Sequence, residues 1–136
     1  MVTEPDGRLR TVLGTMGGDS QPQVLLQLLA RLLGAGESPG EAMHAGRFRL
    51  GPPAAAADAG ADDGFSTWRA RGEVSVALEA HVPAGWPAGL EERGHAVRGD
   101  AAYSDQFGHA HLIDVRGDVL WGASDPRSAA GAAVGW

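Results

Sequence analysis

Apolar positions along the chain fall into short alternating runs separated by turn residues, with one long leucine-rich segment among them. Val2-Thr3 and Leu9-Arg10-Thr11-Val12-Leu13 flank the turn signal Pro5-Asp6-Gly7 and predict a hairpin over Val2 to Gly14. A glycine-rich turn, Gly14 to Ser20, leads into the strongest helix pattern, Gln21 to Leu33. Asp19 or Ser20 can cap that helix and Pro22 suits its first turn. Leu25, Leu26, Leu28, Leu29, Leu32 and Leu33 cover most of its circumference, which predicts burial on more than one side. Gly34-Ala35-Gly36 ends it. Ser38-Pro39-Gly40-Glu41 carries the capping-box pattern of a second, short helix ending by Gly46. Arg47 to Leu50 and Val74 to Glu79 read as strands, and Pro83 to Arg93 as a short amphipathic helix closed by Gly94. His109 to Val115 and Asp118 to Gly122 form a second hairpin pattern around Arg116-Gly117.

This order, with strands and helices mixed and hairpins at both ends, predicts an α+β fold with an antiparallel component. Gly51 to Gly64 is Pro, Ala, Asp and Gly without apolar period and reads as a flexible loop. The leucine helix needs more cover than two short helices supply, and the five or six short strands leave open edges. The pattern is that of a layered fold whose remaining layers come from another segment. At 136 residues the chain is one domain or a piece of a larger one.

Composition narrows the chemistry. The absence of cysteine removes disulfides, thiolate metal sites and a cysteine nucleophile. All 11 basic residues are Arg, so Schiff-base and Walker-lysine chemistry are excluded. A net charge of -6 argues against a nucleic-acid partner. No apolar run reaches the roughly 18 residues of a membrane span, which argues against a membrane partner. No basic amino terminus precedes an apolar stretch, which favours a cytoplasmic location.

The glycine turn is the most informative local feature. A strand runs into Gly17-Gly18 and a helix follows, so successive backbone N–H groups can converge where the helix terminus adds positive potential. Such a turn can hold a phosphate or the oxyanion of a tetrahedral acyl intermediate. The competing reading is a tight turn with no ligand. His109 and His111 share one face of a strand and, with His95 or Asp114, define a weak zinc pattern. We therefore assign no metal and no cofactor. A triad of His109, Ser104 and Asp105 is weaker still, since a triad is defined by geometry. Asp125-Pro126-Arg127 reads as structural, with Asp and Arg pairing to fix the tail. Trp68, Trp86, Trp121 and Trp136 read as packing residues, and Asp58, Asp62 and Asp63 as a solvated loop.

Gly14-Thr15-Met16-Gly17-Gly18-Asp19, Gln21-Pro22-Gln23 and the leucine helix resemble the late segment of γ-glutamyltransferases (γ-glutamyltranspeptidases). The similarity continues through Glu37 to Ala42, Arg47-Phe48, Leu78-Glu79, Arg93-Gly94-His95, Phe107 to His111 and Gly122 to Arg127. It covers nearly the whole chain outside the Gly51 to Gly64 loop. The resemblance implies the carboxy-terminal part of a small subunit, within the four-layer αββα sandwich of the amino-terminal-nucleophile (Ntn) hydrolases. It implies cleavage of γ-glutamyl amides such as glutathione, with transfer to water or an amine. Gly17 and Gly18 match the family's oxyanion glycines, and Met16 and Asp19 border the acyl pocket. Met16 and Asp19 stand where many members carry Pro and Ser, which implies an altered acyl preference. Thr3, Thr11, Thr15 and Thr67 do not match the nucleophile motif. The attacking threonine then belongs to an upstream or large-subunit-like partner polypeptide, and the chain alone is expected to be inactive. The alternative is a non-catalytic remnant or assembly module that binds a partner chain or a second copy of itself.

Overall fold

The computed structural model describes residues 1–51 and 74–135, and these form two sheets with helices packed between and beside them. The loop expected over residues 51–64, together with Asp58, Asp62, Asp63, Thr67, Trp68 and Trp136, lies outside the described residues, apart from Gly51 itself. The amino-terminal hairpin is present as β1 (Val2–Thr3) and β2 (Leu9–Met16), joined through Gly7 at φ +87°. The carboxy-terminal hairpin is β6 (His109–Arg116) and β7 (Val119–Ser124), turning at Gly117. The two hairpins merge into one antiparallel sheet, β1-β2-β6-β7, with β2 and β6 in register from Thr11↔Asp114 to Met16↔His109.

Alternation decides which face of this sheet is covered. Leu13, Ala110, Leu112 and Ala123 point to one side and pack with Val24 and Leu28 of α1 (Gln21–Leu29) and Ala42 and Met43 of α2 (Pro39–His44). On the other side Val12, Met16, Ile113 and Leu120 are all exposed, Leu120 to 69%. Among the described residues only the carboxy-terminal tail crosses part of that face, with Ala133 against Gly122 and Gly131 against His111, and it leaves these four side chains exposed. The helix α1 also departs from the expectation of burial on more than one side. Val24, Leu28 and Leu32, spaced four apart, are the buried stripe, while Leu26 and Leu33 face outward. Regular winding ends at Leu29, and a wider π-type turn runs from Ala30 to Ala35 before Gly36 caps it at φ +73°. The α2 capping box forms as expected: Glu41 N–H donates to Ser38 Oγ at 3.3 Å and Ser38 N–H to Glu41 Oε2 at 2.8 Å.

The second sheet has the order β3 (Phe48–Gly51), β4 (Ser75–Glu79), β5 (Ala96–Asp100). All of β4 is buried. β5 pairs parallel to β4 and is reached through α3 (Trp86–Glu91). The sequence does not announce β5, because Ala96-Val97-Arg98-Gly99-Asp100 has one large apolar residue and owes its extension to β4 alongside. The open edge of β3 is satisfied by side chains of α1. Phe48 N–H donates to Gln27 Oε1 at 2.9 Å, Gln27 Nε2 donates to Phe48 O at 3.0 Å, and Leu50 N–H donates to Gln23 Oε1 at 2.8 Å.

A buried ionic cluster ties the sheets and α2 together. Arg127 Nε donates to Glu79 Oε1 at 2.8 Å, and its Nη2 reaches Glu79 Oε2. Its Nη1 bonds Asp125 Oδ1 at 3.0 Å, and its remaining donors cap the carbonyls of Met43 and Ala45 at 3.1 and 3.0 Å. Arg47 Nη2 lies 2.7 Å from Asp125 Oδ2. Asp125 also accepts from Ala110 N–H at 2.9 Å and from Arg127 N–H at 3.0 Å. The pairing of Asp125 with Arg127 was expected; Arg47 and Glu79 as its partners were not. Two cations and two anions leave the buried cluster neutral.

Removing one member strands the others in a low-dielectric interior. Arg127→Ala is expected to lower unfolding free energy by about 3–5 kcal/mol in urea titration. Burial works to raise the Asp125 carboxyl, but the charges of Arg47 and Arg127 and the N–H donors of Arg127 and Ala110 overcome it, so its pKa lies below the usual carboxylate range. Its contribution is therefore complete above the unfolded-state value, near pH 4, and lost as pH falls through the folded one. Urea midpoints measured from pH 7 to pH 3 should fall steeply below about pH 4 in the wild type, and less steeply in Asp125→Asn.

Candidate functional site

The glycine turn sits where β2 stops and α1 begins. Gly17 has φ +143° and Gly18 φ +53°, conformations that disfavour other residues. A Cβ at Gly17 would stand 2.9 Å from Ser20 Oγ and 3.4 Å from the Gly108 Cα. Gly108 is reciprocally restricted, since a Cβ there would lie 2.6 Å from the Met16 carbonyl. Two main chains thus cross without side chains between them, and that close approach fixes the turn against the start of β6.

The turn is folded around the Gly17 carbonyl, which accepts from Ser20 N–H at 3.0 Å and Ser20 Oγ at 2.6 Å. Among the turn and loop hydrogen bonds of the described residues, none has the N–H of Gly17 or Gly18 as donor. Ser20 therefore braces the turn instead of capping α1 through its side chain. Beside it lies a cavity of about 200 Å³ lined by Met16, Gly17, Ser20, Arg49, Asp105, Gln106 and His109. The structure brings Met16 and Gly17 to this cavity. Gly18 and Asp19, half-buried, open the short 3-10 turn that follows and do not line it.

Sequence reasoning missed Arg49. The alternation of Arg47 to Leu50 makes Phe48 and Leu50 the expected inner face. In the structure those two line an apolar groove of about 420 Å³ under α3, where Trp86 approaches Phe48 with ring centroids 6.4 Å apart, and Arg49 points to the interior. The only sequence signal was Arg at two alternate positions of a strand. The zinc pattern does not assemble: His109 and His111 share the outer face, Asp114 is buried on the inner one, and His95 lines the groove under α3. Among the described residues no three His, Asp or Glu side chains gather to hold a metal. Ser104 Oγ accepts from Gln106 N–H at 3.4 Å, and no hydrogen bond joins Ser104, Asp105 and His109 as a triad.

The profile of the gamma-glutamyltranspeptidase family matches residues 1–135. The chain belongs to the gamma-glutamyltranspeptidase family. The oxamate amidohydrolase proenzyme of Klebsiella pneumoniae is 37% identical over 133 residues, 96% of this chain and 22% of that protein. This gamma-glutamyltranspeptidase-family chain therefore spans about a fifth of the curated relative it matches. Gamma-glutamyltranspeptidase from Pseudomonas nitroreducens superposes with a TM-score of 0.66 at 22% identity, covering 100% of this chain and 61% of that one. Cephalosporin acylase from Bacillus halodurans gives 0.68 at 21% identity, covering 90% and 19%. At those identities the match speaks for the fold, an α+β portion of an Ntn-hydrolase-like sandwich.

The geometry of the turn generates its own test. Gly17→Ala places a methyl group at positive φ against Ser20 Oγ and is expected to cost about 1–3 kcal/mol. Thermal melting should show the loss. Gly14→Ala, where the added Cβ meets nothing within 4 Å, should leave the midpoint nearly unchanged.

Proposed function

We propose that this chain supplies the oxyanion-stabilising part of a gamma-glutamyltranspeptidase-type acyltransferase, with the nucleophilic threonine contributed by an upstream or large-subunit-like polypeptide. The observation that carries this reading is the Gly17-Gly18 turn. Both residues have positive φ, neither N–H is donated within the turn, and Gly17 borders a cavity. In this reading the threonine hydroxyl attacks the carbonyl carbon of a γ-glutamyl amide such as glutathione, and the threonine's own α-amine takes the proton. The carbonyl oxygen becomes an oxyanion held by the two main-chain N–H groups, in the positive potential at the start of α1. Collapse expels the amine and leaves an acyl-enzyme, which water or an acceptor amine then cleaves. Met16 and Asp19 border the acyl group. The chemistry requires no cofactor or metal.

Two further observations support the reading. The Klebsiella relative is named an amidohydrolase and a proenzyme, so amide cleavage by a processed precursor is the chemistry that carries over. The exposed apolar side chains of Val12, Met16, Ile113 and Leu120 on one sheet face give a partner polypeptide a surface to pack on. That same face also favours a second reading, a non-catalytic assembly module that binds a partner chain or a second copy.

Activity separates the two. The purified 136-residue chain is expected to release no p-nitroaniline from γ-glutamyl-p-nitroanilide. Co-expressed with the threonine-bearing segment of a family member, it should turn the substrate over. Gly17→Ala should then lower kcat by about 10²–10³ with little change in KM. Turnover by the isolated chain, lost on a substitution within it, would falsify the proposed division of labour. A reconstituted complex that assembles and stays inactive would establish the assembly reading.

A further inference from the structure

The second sheet is loosely roofed on the side that carries Phe48, Leu50 and Val76. Phe48 pairs with Leu78 and Leu50 with Val76, so these side chains share one face of β3 and β4. The helix α3 lies over them, yet no residue of α3 is buried and Leu50 stays 37% exposed. The gap between sheet and helix is the groove of about 420 Å³. Gly85 and Gly89 line it from the helix side and bring no side chains to fill it; a Cβ at Gly85 would meet nothing within 4 Å. Trp86 and Leu90 supply the rest of that wall, and the lining as a whole is almost entirely apolar. Small-molecule sites run from about 300 to 1,000 Å³, so the groove has the size of one.

One charge interrupts the apolar lining. Arg93 lines the groove and is also exposed, which sets its stem along the wall and its guanidinium at the solvent edge. Its Nη1 donates to the Gly89 carbonyl. Among the described residues none accepts from its Nε or Nη2, and it forms no ion pair. That edge of a guanidinium is a two-pronged donor that fits both oxygens of a carboxylate. Glu91 and Glu92 are exposed and take no part in the lining, where His95 is the other polar side chain. We propose that this groove is a binding site for a small amphipathic monoanion, a carboxylate on an aliphatic body. The body lies between the sheet and the Trp86–Leu90 wall, and the head meets Arg93. The Arg93 charge disfavours a cationic ligand, and a carboxylate without an apolar body leaves the groove unfilled. The groove shares no lining residue with the cavity beside the glycine turn, so this assignment stands apart from the acyl-transfer reading.

The isotope-labelled 136-residue chain is titrated in parallel with sodium octanoate, sodium acetate and 1-octanol at equal ionic strength. Binding is read by ¹H–¹⁵N correlation NMR at the Trp86 indole Nε1–H, assigned by its loss in Trp86→Phe. Octanoate is expected to give a saturable shift there and acetate none. Octanol, with the same body and no charge, should bind about threefold to tenfold more weakly, the range of an exposed charge pair. Arg93→Gln should bring octanoate down to the octanol level and leave octanol unchanged. Gly85→Leu fills the groove without removing any contact and should abolish both. Three results overturn the site: no saturable octanoate shift, octanoate binding unchanged in a folded Gly85→Leu, or a Trp86 signal that follows protein concentration and not octanoate, which assigns the groove to a second copy of the chain. Equal affinity for octanol and octanoate overturns the assignment of an anion. That last comparison uses the wild type, so it decides even where a variant does not fold.

Discussion

The salt-bridged quartet of Arg47, Glu79, Asp125 and Arg127 joins parts of the molecule that are remote in sequence. Arg47 precedes β3, Glu79 ends β4, Asp125 follows β7, and Arg127 reaches back to the carbonyls closing α2. A buried pair often gains little over an apolar replacement, because desolvation offsets attraction. Its importance lies elsewhere. Each charged group spends its donors or lone pairs on backbone of a different element, so a register slip in either sheet leaves a buried ion without its partner. Arg47 adds the carbonyls of Phe107 and Gly108, at 3.1 and 3.2 Å, to the same network. The quartet thereby positions Gly108, and Gly108 is the residue against which Gly17 closes.

From that anchor the glycine turn follows. Gly17 and Gly108 approach because neither has a side chain, and Ser20 ties the Gly17 carbonyl from the other side. The result is a bend whose carbonyl is engaged and whose N–H groups are not donated within it. A strand-to-helix junction of this type concentrates positive potential without a charged side chain. Arg49 and His109 border the cavity beside this turn.

The four-stranded sheet has one face packed by α1 and α2 and one face on which, beside the carboxy-terminal tail, Val12, Met16, Ile113 and Leu120 stay exposed. The chain spans 22% of the family relative it matches, which is compatible with the proposed partner polypeptide packing there. Covering Val12, Met16, Ile113 and Leu120 removes apolar surface from water, and each such side chain is worth about 1.5–3 kcal/mol when fully buried.

Local chemistry was legible in the chain itself. The two hairpins, the Ser38-Pro39-Glu41 capping box, the glycine turn and the Asp125–Arg127 pair all depend on residues within a few positions of one another, so their types announce them. The family resemblance was legible for the same reason, as an ordered series of such local pieces. What tertiary structure alone decided were matters of pairing across distance. β5 is extended because β4 lies beside it, Glu79 and Arg47 complete the ionic quartet, and Gln23 and Gln27 close the edge of β3. The burial of Arg49 in place of Phe48 and Leu50 belongs with these. A strand's alternation says that two faces differ, but which face is inner is fixed only by what packs against each.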